Sequence, residues 1–350
     1  MELGTIILTG ATGLKTAGRR LPDASATGNS NASQNNHPVA LWDVLGKSVL
    51  QRKVEQLRHA GAQLISIASS QVGGSLEEYA EQWEKAFFDL VRSGAERVLI
   101  VSAGIYSEVD IDDFVRFHLA GGSQVSNVLD DEGPLGISLI EAKCADRDLC
   151  SFRNRLAAFS SCSSSYEFKG YCNRLTGPSD YRTLVRDALW GRCQLKPDGR
   201  EVYPRVWCAD GARVSASAQI FGPAYVGSRA RVRAGTLIAP GTAIEQRAEV
   251  DCGTVVENSS ILPRTYLGPG LHVSQSIVSG SRLVHLGRNL DVELAATGLL
   301  GRTGPSTSLR VLEGLSSLLG SFGNGSSVGA STSSRSPASV DWARSNGFFD

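Results

Sequence analysis

Between Val214 and Val256 an aliphatic β-branched residue stands at every sixth position: Val214, Ile220, Val226, Val232, Ile238, Ile244, Val250 and Val256. Two residues before each sits a small one: Ala212, Ala218, Ala224, Ala230, Thr236, Thr242, Ala248 and Thr254. A period of six matches neither a helix nor a plain strand. It is the hexapeptide rule of a parallel β-helix, in which each hexapeptide supplies one short strand and one corner. The branched residue points inward and stacks on its like in the next coil, while the small residue fits the corner. After Val256 the pattern slips by one residue to Ile261, Leu267 and Val273, and again to Val278, Val284 and Leu290. One-residue deletions at corners account for both slips. The stack is therefore predicted to run from about 206 to about 292, as four to five coils of ~18 residues at ~4.8 Å spacing.

The first half is patterned differently. Residues 5–9 (TIILT) read as a buried strand entering a turn between Gly10 and Gly13. Residues 22–37 are polar and low in complexity, and read as a loop. Val49, Leu50, Val54 and Leu57 share one face of a helix that Gly61 stops. A strand at 63–68, a helix with the face Leu76, Tyr79, Trp83, Phe87 and Leu90, and a strand at 97–102 follow. Asp110 can cap a helix carrying Phe114 and Phe117 that ends at Gly121-Gly122. Strands near 124–129 and 137–141 and a helix near 147–158 complete the pattern. Strands alternating with helices imply an α/β domain with a mainly parallel sheet.

The expected organisation is an α/β domain over 1–200, a β-helix over 201–295 and a Ser/Gly-rich tail over 301–350. The tail has too little apolar surface to offset ordering entropy and is predicted to be disordered. Leu309, Leu312, Leu315 and Leu319 could form a short amphipathic helix within it. Trp342, Phe348 and Phe349 near its end are either inert or a docking motif for a protein partner.

Composition narrows the function classes. At 350 residues, two domains are expected. Lys plus Arg equals Asp plus Glu, at 35 each, so the chain as a whole has no electrostatic footprint for nucleic acid. The alternating Arg229, Arg231 and Arg233 read as the solvated face of one β-helix strand. No apolar run is long enough to span a membrane. The start, MELGTIILTGATG, lacks the basic region and long apolar stretch of a signal peptide, so a cytoplasmic location is expected. The seven cysteines are odd in number and contain no C-x-x-C, suggesting reduced thiols and neither zinc nor disulfides.

Several segments match one family in order. ILTGATGLK (7–15) looks like a strand and glycine loop of the form ILAGGxGTR. PVALWDVLGKSVLQRKVEQLRHAG (38–61) looks like a Pro-Lys-Ala segment followed by a Gly-Lys-Pro helix. VLIVSAGIYSEVDI (98–111) looks like a strand carrying Asn-Gly-Asp. GYCNRLTGPSDY (170–181) looks like Gly-Tyr-Trp-x-Asp-Ile-Gly-Thr-Pro-x-Asp-Tyr. ENSSILPRTYLGPG (257–270) looks like the β-helix that follows. Over about residues 5–292 the chain thus resembles the sugar-phosphate nucleotidyltransferases, or nucleotide-sugar pyrophosphorylases. The resemblance implies a Rossmann-like first domain, a left-handed β-helix and a homo-oligomer. It also implies attack of a sugar phosphate on the α-phosphorus of a nucleoside triphosphate, releasing pyrophosphate. Such chemistry needs charge neutralisation, supplied in the family by glycine-loop amides, basic residues and two aspartates holding Mg²⁺.

The chain departs from that set at nearly every charged position. Gly10 and Gly13 remain, and Lys15 stands at the loop's arginine. Val39 replaces the Pro-Lys-Ala lysine, Gly104 the aspartate of Asn-Gly-Asp, Cys172 the tryptophan and Arg174 the aspartate that follows it. Both metal ligands are then missing. Gly10, Gly13, Lys15 and Arg174 are the expected nucleotide- or phosphate-binding set, with no metal and no cofactor. Mg²⁺ enters only if the ligands are rearranged. Asp110, Asp112 and Asp113 read as a helix N-terminus and not as a relocated metal site.

The expected role is a catalytically silent relative that binds or scaffolds in nucleotide-sugar and cell-surface polysaccharide synthesis. One alternative is an active nucleotidyltransferase. Another is a hexapeptide acyltransferase, which would need a histidine base; His272 is next to an inward valine and should face outward. TGATG is also similar to the short-chain dehydrogenase turn, but Thr16 stands where the third glycine belongs and no Tyr-x-x-x-Lys occurs, so that reading is rejected.

Overall fold

The computed structural model describes residues 3–9, 39–62, 64–68, 76–144, 163–294 and 298–303. The chain is mixed α/β with many parallel strands and few helices. It divides into two compact units, one of Met1–Trp42 with Ser48–Asp180 and one of Asp43–Lys47 with Tyr181–Asp350.

The first strand, β1 (Leu3–Leu8), belongs to the first unit. The hairpin of β2 (Asp43–Val44) and β3 (Lys47–Ser48) lies almost wholly in the second. Next come β4 (Leu64–Ala68), β5 (Arg97–Ser102), β6 (Ile105–Ser107), β7 (Val125–Asp130), β8 (Gly133–Glu141), β9 (Ser164–Glu167) and β10 (Cys172–Arg174). A six-stranded sheet runs β4-β1-β5-β8-β7-β9, and β6 pairs with β10 separately. β1 has a strand on each side and is buried from Gly4 to Leu8, in keeping with a sequence that is apolar apart from Thr5. It pairs parallel with β4 and β5, but β8 is antiparallel to both β5 and β7. Five of the six strands therefore run in one direction, in line with the mainly parallel sheet expected, and β8 alone is reversed. Asp130 and Gly133 close a short hairpin between β7 and β8, and so short a link permits only antiparallel pairing.

Helix α1 (Val49–His59) opens with a capping box, Gln51 N donating to Ser48 Oγ at 3.2 Å and Ser48 N to Gln51 Oε1 at 2.9 Å. Helix α2 (Leu76–Arg92) buries Trp83, Phe87 and Leu90 against Ile6, Val98 and Ile100. Helix α3 (Ile111–Gly121) is capped by Asp110, whose Oδ1 accepts from Asp112 N at 2.9 Å and Asp113 N at 3.2 Å. That agrees with reading these aspartates as a helix start. The helix expected near 147–158 lies outside the described residues, as does the loop at 22–37.

In the second unit, strands of two to four residues form three sheets whose main ladders are parallel. One ladder stacks Cys208, Val226, Ile244, Ile261 and Val278. A second stacks Val214, Val232, Val250 and Leu267, and a third Ile220, Ile238, Val256 and Val273. All three contribute to one core. Burying each such side chain is worth about 1.5–3 kcal/mol. The parallel ladders keep their register through both one-residue slips, at Ile261 and Val278. The small positions other than Ala218 are buried too, and their threonines are satisfied by carbonyls: Thr254 Oγ1 donates to Gly268 O at 2.6 Å and Thr242 Oγ1 to Val256 O at 3.2 Å.

The parallel pairing stops earlier than the pattern suggests. Ser276–Ser279 turns back through Gly280-Ser281 to pair antiparallel with Arg282–His285, which pairs antiparallel with Leu290–Glu293. Leu283, not Val284, packs on the core, and Leu290 is 46% exposed. Val284 and Leu290 keep the aliphatic identity but not the coil, because a two-residue Gly-Ser turn makes a hairpin. Leu300–Arg302, at the expected start of the tail, adds an antiparallel strand against Thr265–Leu267 and buries Leu300. Residues 304–350, with the leucine and aromatic motifs, lie outside the described residues.

The second unit also takes in the β2–β3 turn. Leu45 N and Gly46 N donate to Glu245 Oε1 and Oε2 at 2.8 and 3.0 Å. Gln246 Nε2 donates to Asp43 Oδ2 at 2.9 Å, and Tyr181 Oη to Asp43 O at 2.6 Å. Only glycine fits at 46: a Cβ there would lie 2.5 Å from Tyr225 Oη, and the backbone φ is +98°. Helix α4 (Pro178–Trp190) contributes Arg182, whose Nε donates to Asn258 O at 3.1 Å and whose Nη2 donates to Asn258 Oδ1 at 2.8 Å and to Gly241 O.

Candidate functional site

The site that the motifs single out lies at one end of the first unit's central strands. Ala103 N donates to Leu8 O at 2.8 Å, so the end of β5 stays alongside the end of β1. Thr9 is buried there. Gly10, Gly13 and Lys15 lie outside the described residues.

Gly104 and Arg174, distant in sequence, are brought together. β6 and β10 pair antiparallel with Arg174 opposite Ile105, and Leu175 N donates to Gly104 O at 3.0 Å. These are the two positions at which the sequence resemblance led one to expect aspartates. Here one has no side chain and the other is a cation.

Arg174 is already engaged. Its Nη1 donates to Asp130 Oδ2 at 2.8 Å and its Nη2 to Asp130 Oδ1 at 2.5 Å, a bidentate fork. Nη1 also reaches Glu132 Oε2 at 2.9 Å, and Nη2 reaches Gly133 O at 3.2 Å. Asp130 further accepts from Glu132 N, Gly133 N and the Cys172 thiol, at 3.0, 2.9 and 3.0 Å. The Arg174 hydrogen bonds, foremost, hold the Asp130 carboxyl well below the usual carboxylate range. Burial, reinforced by Asp130, pushes the Cys172 thiol up to about 11, so it is a poor nucleophile at neutral pH. The Arg174 guanidinium is held more firmly protonated by the same carboxylate.

Two buried polar groups nearby were not anticipated. Lys53, on the α1 face between Val49 and Leu57, is buried, and its Nζ donates to Ser107 Oγ at 3.2 Å and Ser107 O at 3.4 Å. Burial lowers its pKa to about 8. Its spacing of four from each of two core residues was the available signal. Elsewhere His118 is sandwiched between Ser126 Oγ at 2.7 Å and Glu141 Oε1 at 3.2 Å, with Arg97 Nε on the same carboxylate oxygen at 2.6 Å. The serine–histidine–glutamate order suggests nucleophilic chemistry, but Ser126 is fully buried and offers no substrate access.

His272 faces outward as expected, with Nε2 3.8 Å from Glu257 Oε2. Among the described residues no group of three or more His, Cys, Asp or Glu side chains could hold a metal ion. Cys172, Cys208 and Cys252 take part in no disulfide. Among the described residues no helix is long and apolar enough to cross a membrane. No protein-family model matches the chain, and no curated protein matches it either.

Proposed function

We propose that the chain is a catalytically silent relative of the sugar-phosphate nucleotidyltransferases. Its first unit is a Rossmann-like nucleotidyltransferase domain and its second a left-handed parallel β-helix, and it serves nucleotide-sugar or cell-surface polysaccharide synthesis in the cytoplasm as a binding or scaffold subunit. The observation that carries this reading is the pairing of Gly104 with the Arg174 segment beside the end of β1. Two motifs about 70 residues apart in sequence meet as the resemblance requires, yet the carboxylates are missing.

The family's Mg²⁺ does not fit the described donor set. Gly104 supplies no ligand, and the Arg174 charge is already neutralised by Asp130 and Glu132. A cation beside that guanidinium would meet repulsion and find its nearest carboxylate occupied. Arg174 could reach a diphosphate only by exchanging Asp130 for it, a swap between two bidentate acceptors that leaves a carboxylate unpaired. By chemistry, the phosphate donors in this reading are Lys15 and the backbone amides of the Gly10 to Gly13 segment, since main-chain N–H groups survive side-chain loss.

The test is titration calorimetry with nucleoside triphosphates, sugar phosphates and nucleotide sugars, with and without Mg²⁺, beside a pyrophosphate-release assay. Mg²⁺-independent binding without turnover is expected. Mg²⁺-dependent pyrophosphate release would overturn the reading in favour of an active enzyme.

A further inference from the structure

Three corners recur around the second unit's stack, and two of them are built from contrasting residues. At one, the left-handed backbone position is filled by Gly235, Gly253 and Gly270 in successive coils. At another it is filled by Arg229, Arg247 and Arg264, with φ of +56°, +55° and +58°. L-residues with a Cβ are strained in this conformation and glycine is not. The same fold therefore shows the unstrained solution at one corner and sets it aside, three coils running, at another. Strain kept in this way marks a side chain that is needed.

The three arginines are in register. Arg229 N, Arg247 N and Arg264 N donate to Asp210 O, Ser228 O and Gln246 O of the coil before, at 3.1, 2.8 and 2.9 Å. All three side chains are exposed. Beside them on the adjoining sheet stand exposed Arg213 and Arg231, paired in register, and Arg302 opposite Thr265. Among the described residues none of the six makes an ion pair. The nearby carboxylates are otherwise placed: Glu249 binds Arg233, Glu245 is buried on Leu45 and Gly46, and Asp251 receives the Tyr266 hydroxyl. Asp210, at the first coil, is exposed.

We propose that this face binds an acidic polysaccharide, with guanidinium groups pairing to the carboxylates of an extended uronate chain. The corner column places a cation at each coil, about 4.8 Å apart. In the adjoining column Arg213 and Arg231 offer two further cations to carboxylates on the chain's other edge, before the column continues as Glu249 and Tyr266. An extended acidic peptide fits this spacing poorly, because its same-side carboxylates recur at roughly 6.6–6.8 Å. A single-stranded nucleic acid would want aromatic platforms between the cations. The only outward aromatic in the adjoining column, Tyr266, is 3% exposed and tied to Asp251. This inference is independent of the nucleotide reading, because every residue it uses lies in the second unit.

The experiment is titration of the full chain with a hexameric oligogalacturonate, against maltohexaose, poly-glutamate and a single-stranded oligonucleotide as competitors. The expected result is binding of the oligogalacturonate alone or most tightly, weakening as salt is raised. Arg229→Gly, Arg247→Gly and Arg264→Gly combined should weaken it at least tenfold. Glycine suits the backbone at all three positions, so the melting temperature should hold or rise. If that variant nonetheless melts without cooperativity, three Arg→Gln changes carry the same test. No binding of the oligogalacturonate at low salt, undiminished binding by the substituted chain, or tighter binding of the oligonucleotide or poly-glutamate would overturn the proposal.

Discussion

Arg174 in the first unit and Arg182 in the second are both withdrawn from solvent, and they are satisfied in opposite ways. Arg174 faces a carboxylate in a bidentate fork and is held more firmly protonated. Arg182 donates to the carbonyls of Gly241 and Asn258 and to the Asn258 side chain. Burial lowers its pKa to about 10, and its Nη1 has no hydrogen-bond partner. Glu245 follows the same habit as Arg182, accepting from the backbone N–H groups of Leu45 and Gly46. The difference reflects what each unit has to offer. A mixed sheet saturates its own backbone and leaves side chains to neutralise one another. Turns between the second unit's short strands present carbonyls at regular intervals, so a charged group there can be held by backbone. For these two arginines, charge is thus met by a paired carboxylate in the first unit and by strand register in the second.

The most severe way to break this contrast is to put charge where neither device exists. Val232→Asp places a carboxylate among the apolar side chains of the second unit's core. A loss of at least ~4 kcal/mol is expected, enough to abolish the second unit's cooperative denaturant transition. A wild-type-like transition would mean that Val232 does not point inward.

The two arginines can then be set against each other. Asp130→Asn strands a partly buried guanidinium, at an expected cost of about 2–4 kcal/mol. Arg182→Met removes the cation itself and leaves only carbonyls short of a donor, at about 1–2 kcal/mol. Chemical denaturation of both variants should rank them in that order, and the reverse ranking would dissolve the distinction. The Asp130 carboxyl is depressed in the folded state. Its stabilisation is therefore present above the unfolded value near ~4 and is lost as pH falls below it. Asp130→Asn should accordingly flatten the acid limb of the stability curve.

Lys53 sharpens the point from the basic side, because no carboxylate was provided for it. Its folded pKa of about 8 lies below the unfolded value of ~10.4. Between those values the unfolded chain binds more protons, so unfolding free energy should rise as pH rises through that window. Lys53→Met should remove this rise when melts are compared at pH ~7.5 and ~10. The smallest effect belongs to the strained corner. Arg247→Gly should stabilise by about 0.5–1 kcal/mol, and a loss of stability would show that the arginine is held by contacts of its own.

How far these features could be read from the chain follows from how often each requirement repeats. The inward position of a coil is tested anew in every turn, so Val214 to Val278 could be placed to the residue, through two slips. Where the repetition ended, so did the resolution: Val284 and Leu290 continue the pattern without the structure. Gly104 and Arg174 could be linked only by resemblance to a family. Asp130, 44 residues from Arg174, carried no mark of its partner. Glu245, 200 residues from Leu45, carried none either. A carboxylate's partner depends on chain reversal, and no local spacing encodes it.

The capture of the β2–β3 turn by Glu245 bears on how this protein can be cut and made. During synthesis residues 43–47 leave the ribosome long before Glu245 exists, so the second unit cannot close over them until late. A fragment beginning at Tyr181 would emerge without its strap, with Tyr225 uncovered and the Glu245 carboxylate deprived of two amide donors. Adding a peptide spanning residues 38–48 to that fragment should restore what the missing covalent link had supplied, which makes the strap a natural point for splitting the chain into two complementing pieces.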